Sequence, residues 1–507
     1  MGSKTITRRT ILAGATAAAG TLTLAACGVL PEQNSVKVVP KAAGTEPNIL
    51  KSSGGHLSID LVAQHTSINI DGHPVNAMTY NGTLPGPTWM AKPGDKITVN
   101  FTNKLGEITN LHTHGFHVSP EGNSDNVMLE IKDGETFTYE YQLAADHPSG
   151  TYWYHPHHHG KAADQVFAGL YGAIIIEDAN PIETTADRVL VISDIAVASD
   201  GEIAQATMMD KMMGREGGQV LVNGHITPTF DSTANGRERL HIVNACTSRY
   251  MVLHIDHADV QLLGMDSGRY GTPKDVKEIL IAPGNRADVI ITLRSLAATL
   301  RFDSVAHLDS NNAPISEQLL ATFMPMAAAG ATAQSTTTSS PTTTPSLAPL
   351  PKMPTPRDIR KSTITTKRNF TLAMPAMGNM SNMNGGMGSM DGMGGMNHTM
   401  AGFTINGEAF DMNKINTTVA MGTIEEWTIT NTTTMNHPFH LHVWPMQILK
   451  IGNQTIADPQ WQDVVNVPAK STTVVRVAFE NHKGTAVYHC HILDHEDAGM
   501  MGLIKAS

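Results

Sequence analysis

Asn81-Gly82, followed by Gly94-Asp95-Lys96-Ile97-Thr98-Val99-Asn100-Phe101-Thr102-Asn103, decides the fold because the same phrase occurs three times. The second copy is Asn223-Gly224, then Gly236 and Arg239-Leu240-His241-Ile242-Val243-Asn244. The third is Asn406-Gly407, then Gly422-Thr423-Ile424-Glu425-Glu426-Trp427-Thr428-Ile429-Thr430-Asn431. Each copy is a turn signal, a short gap, a Gly, and an alternating run of β type closed by Asn. Copies stand 142 and then 183 residues apart, too far for a solenoid and suited to β-sandwich domains. The chain is therefore expected to be all-β, in three domains over 45–180, 181–326 and 358–507.

Two segments fill the longer interval. Residues 327–357 are rich in Ala, Thr, Ser and Pro and read as a linker. Residues 374–400 hold nine Met and seven Gly, with Met374, Met377, Met380 and Met383 opening a series spaced by three or four. That spacing suits one face of a helix, but each Gly costs a helix about 1 kcal/mol relative to Ala, which favours a flexible loop. Thioethers prefer soft Cu(I). A second group, Met208, Met209, Met212 and Met213, also has helical spacing and is expected to be a buried helix face.

The 507 residues are 41% hydrophobic, ample for several cores. The net charge of −11, with no basic block, excludes nucleic acid and anionic membrane surfaces as natural partners. Thr7-Arg8-Arg9-Thr10-Ile11-Leu12 has a twin-arginine pattern, and Leu24-Ala25-Ala26-Cys27 resembles a lipobox, so residues 1–27 read as an export signal. Lipidation of Cys27 is the favoured reading over a plain cleaved signal. It implies an extracytoplasmic, anchored protein with no other membrane contact. Cys246 and Cys490 could pair in an oxidising compartment. Cys246 is more simply a small core residue, and the surroundings of Cys490 suggest another task.

Four strings carry the chemistry: His112-Thr113-His114, His155-Pro156-His157, His437-Pro438-Phe439-His440-Leu441-His442, and His489-Cys490-His491 with His495 and Met500 beyond. One H-x-H string is weak, since two His can share a solvated strand face; four are strong. Side chains alternate along a strand, so His489 and His491 point one way and Cys490 the other. His440 and His442 likewise oppose His437. Two metal centres follow. His437, Cys490 and His495 with a weak axial Met500 make the blue-copper set of ligands. The other eight His exceed what one ion uses and suit three coppers with positions left for O₂. Cys490 would join the two centres through a few covalent bonds.

These strings resemble the copper-binding signatures of the multicopper oxidases, and the likeness extends to 81–87 and 282–288. It implies three cupredoxin-like Greek-key sandwiches and four coppers: one type 1, one type 2 and two type 3. By this resemblance His112 and His440 are type 2 ligands, and His114, His155, His157, His442, His489 and His491 are type 3 ligands. His437, Cys490, His495 and Met500 are the type 1 set. The segments 155–160 and 495–501 look most similar to bacterial three-domain cuprous oxidases, which place an acid and a Met before the third motif. Met435 matches, whereas Thr433 stands where the acid would be; Thr113 likewise replaces a common Trp. Glu496 resembles the family's proton-relay acid and Asp125 its partner near type 2 copper, with Glu121 and Asp133 as nearby alternatives. His158 and His159 read as channel-lining or supporting imidazoles.

The implied reaction is one-electron oxidation of Cu(I), or of a small reducing donor such as a phenol, coupled to reduction of O₂ to water by a monomer. Competing classes are a copper buffer, a copper-free envelope scaffold and a copper nitrite reductase. The complete set of ten His, one Cys and one axial Met in family order speaks against all three.

Overall fold

A computed structural model describes residues 46–294, 296–305, 315–326, 349–374 and 402–507. The export signal, most of the linker, and Met377, Met380 and Met383 lie outside these residues. The described part of the linker, 349–357, forms neither helix nor strand.

Among the described residues, strands form six sheets, two in each repeat. The repeated alternating run occupies one position throughout. Lys96–Lys104 runs parallel to His56–Ile70 and antiparallel to Thr136–Gln142. Arg237–Asn244 is likewise parallel to Ala186–Ile195 and antiparallel to Arg286–Leu293. Thr423–Asn431 lies between Thr366–Ala373 and Thr472–Phe479 in the same senses. The architecture is three cupredoxin-like sandwiches. Alternation puts Ile97, Val99 and Phe101 into the first core, with Trp427 and Ile429 in the third. Burying each such side chain contributes about 1.5–3 kcal/mol.

The Asn residues of the repeat explain why it recurs. Asn81, Asn223 and Asn406 all adopt left-handed backbone, which Asn tolerates better than most residues. Each amide clamps the first strand of the parallel pair: Asn223 Oδ1 accepts from Val191 N at 2.8 Å and its Nδ2 donates to Val189 O at 2.8 Å. Asn81 does the same with Val62 N and Asp60 O, and Asn406 with Thr371 N and Asn369 O. The closing residues Asn103, Asn244 and Asn431 are buried, and each satisfies two backbone groups of the loop that follows and one carbonyl of a distant segment, Ile131, Ile281 or Val467.

The three described helices are short: α1 (Ala162–Phe167), α2 (Met208–Met213) and α3 (Leu493–Asp497). They gather where the domains meet. Trp153, Val166, Tyr171, Val191, Val243 and Leu493 share one apolar cluster drawn from all three repeats. Beside it Arg215, just after α2, donates to Asp494 of α3 and to Asp164 of α1, both at 2.6 Å. This staple fixes α3, which carries His495 and Glu496, against the other two domains. Among the described residues no helix is long and apolar enough to cross a membrane.

Asn103→Ala strands buried backbone groups at about 1–3 kcal/mol each. Its thermal midpoint is expected to fall further than that of Asn406→Ala, whose site is exposed; differential scanning calorimetry checks the order.

Candidate metal centres

The two His-bearing edges of the end domains are built alike. In the first domain His112 lies opposite His155 on paired strands. In the third, His440 lies opposite His489, and Phe439 opposite Cys490. The domain junction brings these edges face to face. His112 stacks on His442 at 4.0 Å between ring centres, and His114 on His440 at 3.9 Å. His157 Nε2 and His442 Nε2 approach His489 Nε2 at 3.0 and 3.1 Å. His491 closes the basket, 4.8 Å from His114 and 5.6 Å from His155. All eight rings are buried.

Hydrogen bonds on the outer nitrogens aim the rings. His112 Nδ1 donates to Asp125 at 2.9 Å, His440 Nδ1 to Asp463 O at 2.7 Å, and His155 Nδ1 to Pro156 O at 2.9 Å. With Nδ1 protonated, each Nε2 carries a lone pair into the basket. The Nε2 atoms of His112, His155, His440 and His491 are buried and meet no hydrogen-bond partner. An unsatisfied buried polar atom costs about 1–3 kcal/mol, so this concentration of inward lone pairs suits cations. Burial, with neighbouring imidazoles second, pushes His112 and His442 well below the ordinary imidazole range. Burial also takes His155 down to about 3 and His157 to about 4, so these rings are neutral at pH 7.

On the opposite face of the same strand, Cys490 Sγ lies 3.3 Å from His437 Nδ1 and 3.8 Å from His495 Nδ1. The rings are reversed relative to the basket: Nε2 of His437 donates to Thr433 Oγ1 at 2.8 Å, and Nε2 of His495 to Met212 O at 3.0 Å. Burial pushes the Cys490 thiol well up, so a thiolate here needs a bound cation. Met500 is buried in the same core cluster, and its carbonyl accepts from Cys490 N at 3.0 Å. Cys246 is buried in the second core, and both described cysteines are free.

Of the acids, Asp125 touches the basket, accepting from Thr113 N at 2.7 Å and Thr113 Oγ1 at 3.0 Å as well as from His112. Burial raises its pKa to about 7 against those Thr113 bonds. Glu121 and Asp133 are exposed, and Asp133 caps Gly106 N. Glu496 is fully buried, 3.0 Å from His489 Nδ1 and 3.6 Å from His157 Nε2. His158 lies 3.6 Å from Glu130, and the His159 ring packs 4.8 Å from Phe410. Met435 is wholly buried in the third core, and Met374 is half-buried against it.

Two residues escaped the sequence reading. Asp463 Oδ1 lies 3.0 Å from His114 Nε2, and Arg286 grips the Asp463 carboxylate at 2.6 and 2.7 Å. Neither belongs to a spaced motif, although Arg286 falls in the resembling stretch 282–288. Two glycines mark how tightly this layer packs. A Cβ on Gly115 would collide with the Arg286 guanidinium, and one on Gly284 would sit 2.9 Å from the His491 ring. The α2 methionines correct one expectation. Met208 and Met209 are 59% exposed; only Met212, at 2%, forms the buried face expected for this group. The i, i+4 spacing pairs residues on a face without fixing which face the protein covers.

Family models described as multicopper oxidase match residues 62–181, 187–323 and 373–507. The chain belongs to the multicopper oxidase family, whose members use copper. The multicopper oxidase mco of Staphylococcus aureus is 28% identical over 480 residues, covering 91% of this chain and 92% of that protein. A laccase of Bacillus stratosphericus is 25% identical over 501 residues, covering 86% and 91%. The solved multicopper oxidase of Campylobacter jejuni, described as a metallo-oxidase, superposes with a TM-score of 0.75 at 27% identity, covering 92% of this chain and 96% of that one.

Replacing Asp125 by Ala removes the acceptor that orients His112. Loss of such a partner typically weakens metal affinity about 10- to 100-fold. Copper retained after dialysis against a chelator is expected to drop accordingly.

Proposed function

We propose that this protein is a four-copper oxidase that takes electrons from Cu(I) outside the cytoplasm and delivers them to O₂, forming water. The observation that carries this reading is the tripeptide His489-Cys490-His491, with its thiol on the His437–His495 side and both imidazoles in the basket. His437, Cys490, His495 and Met500 would hold type 1 copper; His112 and His440 would hold type 2. Of the remaining ligands, His157, His442 and His489 come together as one group, leaving His114, His155 and His491 for the second type 3 ion. Bound copper supplies the one-electron steps and the reduction of O₂.

The chain's own residues supply everything else. Backbone from Cys490 to its neighbours is a short covalent path, on the order of 10 Å between opposed faces. Reducing O₂ to two waters consumes four protons, and Glu496 lies against His489 and His157 where it can hold and pass them. Asp125 stands behind His112, 2.9 Å from its Nδ1. Export through the signal 1–27 and an anchor at Cys27 would place the enzyme where exported copper accumulates.

Cu(I) as donor is supported by the nine methionines of 374–400 and by the likeness to the Campylobacter jejuni metallo-oxidase. The laccase relative favours a second reading, oxidation of phenolic donors. O₂ uptake with Cu(I) and separately with a phenol tests the choice. Deleting 375–400 is expected to remove Cu(I) turnover and to preserve or improve phenol oxidation. Uptake with phenol alone in the full chain would overturn the Cu(I) assignment. Glu496→Gln is expected to slow reoxidation by O₂ while reduction of the blue centre continues at its usual rate in stopped-flow; equal slowing of both half-reactions counts against the relay.

A further inference from the structure

The basket ring of His442 comes from the residue just past the strand His437–Leu441, where regular pairing with Val464–Val467 has ended. Its backbone N donates to Val487 O at 3.1 Å, and its carbonyl accepts from Trp444 N at 2.8 Å across a tight turn. Val443, at the centre of that turn, has a φ of 69°. A hydrogen bond spanning two residues, with positive φ at the middle one, defines the rarer and more strained kind of γ-turn. Glycine suits such a position and a β-branched side chain does not. Among the described residues only Thr227 and Val443 combine β-branching with positive φ. The Val443 side chain is buried in the third core, which favours an apolar residue there despite the strain.

The group that holds this turn comes from another domain. His117, three residues after His114, reaches across the junction, and its Nδ1 donates to Val443 O at 2.8 Å. Two residues of the third domain hold His117 in turn. Asn481 Nδ2 donates to His117 Nε2 at 3.1 Å. His482 Nε2 donates to the His117 carbonyl at 3.1 Å, and its ring packs edge-on at 4.7 Å. Burial lowers the His117 pKa from the ordinary imidazole value, so the ring is neutral at pH 7 and donates at one nitrogen while accepting at the other. Neither His117 nor His482 belongs to the four His strings.

We propose that His117 is a positioning residue for the copper basket, a latch from the first domain that holds the strained turn at Val443 and thereby sets the ring of His442. That ring stacks on His112 at 4.0 Å and meets His489 Nε2 at 3.1 Å. Without the bond from His117 the turn relaxes toward negative φ and swings His442 away from both. The latch is needed because valine, and not glycine, stands at the turn. The inference rests on His442 holding copper in the basket.

The test compares H117A, H117N, V443G and H117A/V443G, each in the full, copper-loaded chain. Asparagine keeps a donor near the place of Nδ1, and glycine takes positive φ without strain. H117A is expected to keep the blue band of the thiol centre and to hold basket copper about tenfold more weakly in dialysis against a chelator. Its electron paramagnetic resonance spectrum should gain intensity of ordinary splitting, since losing the ion at His442 uncouples the neighbouring ion. H117N is expected to restore retention. His117 and Val443 act on one turn, so H117A should cost several-fold less in the V443G background than beside Val443, a comparison in which the lost valine packing cancels. Equal losses in both backgrounds, or unchanged retention in H117A beside four coppers in the parent, would overturn the latch and leave the oxidase reading intact. Loss of both centres together in H117A, with no recovery in H117N, would also overturn it. A parent that binds no copper in the basket would overturn both the latch and the oxidase reading.

Discussion

Cys490 cannot face one metal centre without turning both its neighbours toward another. That constraint is the alternation of side chains along an extended strand, and most of the site follows from it. The strand Gly484–Cys490 lies between His437–Leu441 and Met501–Ala506, which holds it flat enough for the alternation to persist to its last residue. His489 then enters the basket while the thiol enters the third core. The same rule applied to the paired strand separates His437 from His440.

A basket of eight buried imidazoles is an unfavourable thing to build from protein alone. Burial disfavours the charged form of His114 and His440 among them, and several inward nitrogens have no hydrogen-bond partner. The fold compensates by fixing the outer nitrogens with carbonyls and carboxylates, so that the rings hold their orientation before a cation arrives. Asp463 and Arg286 extend that support into the second domain. Arg286 is fully buried and also donates to Thr151 O and Gly284 O, tying the three domains around one carboxylate. The second domain, without a His string of its own, thus contributes by holding the other two in register.

Residue spacing reveals whatever depends on local periodicity. The triple Asn-Gly phrase and its closing Asn mark equivalent strands because each Asn-Gly amide makes the same pair of backbone bonds to the neighbouring first strand of its sandwich. The H-x-H strings show themselves because period two is the strand's own period. Asp463, Arg286 and the Met212–His495 contact leave no such trace. Each joins residues 177 or more positions apart, and their pairing exists only once the domains meet. The exposure of Met208 and Met209 was hidden for a related reason: periodicity defines a face, and tertiary packing decides which face is covered. Thr433 shows the converse case. At the position of an expected acid it instead accepts a hydrogen bond from His437, a supporting role that spacing does not disclose.

The central claim is that one strand residue joins a single-copper thiolate site to a three-copper basket. Copper content per chain, measured alongside the electron paramagnetic resonance spectrum of the oxidised protein, tests it most directly. Four coppers are required, of which two give signals: one with the narrow hyperfine splitting of a thiolate site and one with ordinary splitting. The remaining two should be silent because they are magnetically coupled. A chain that binds a single copper at saturation, or whose bound copper is all visible as isolated ions, would contradict it.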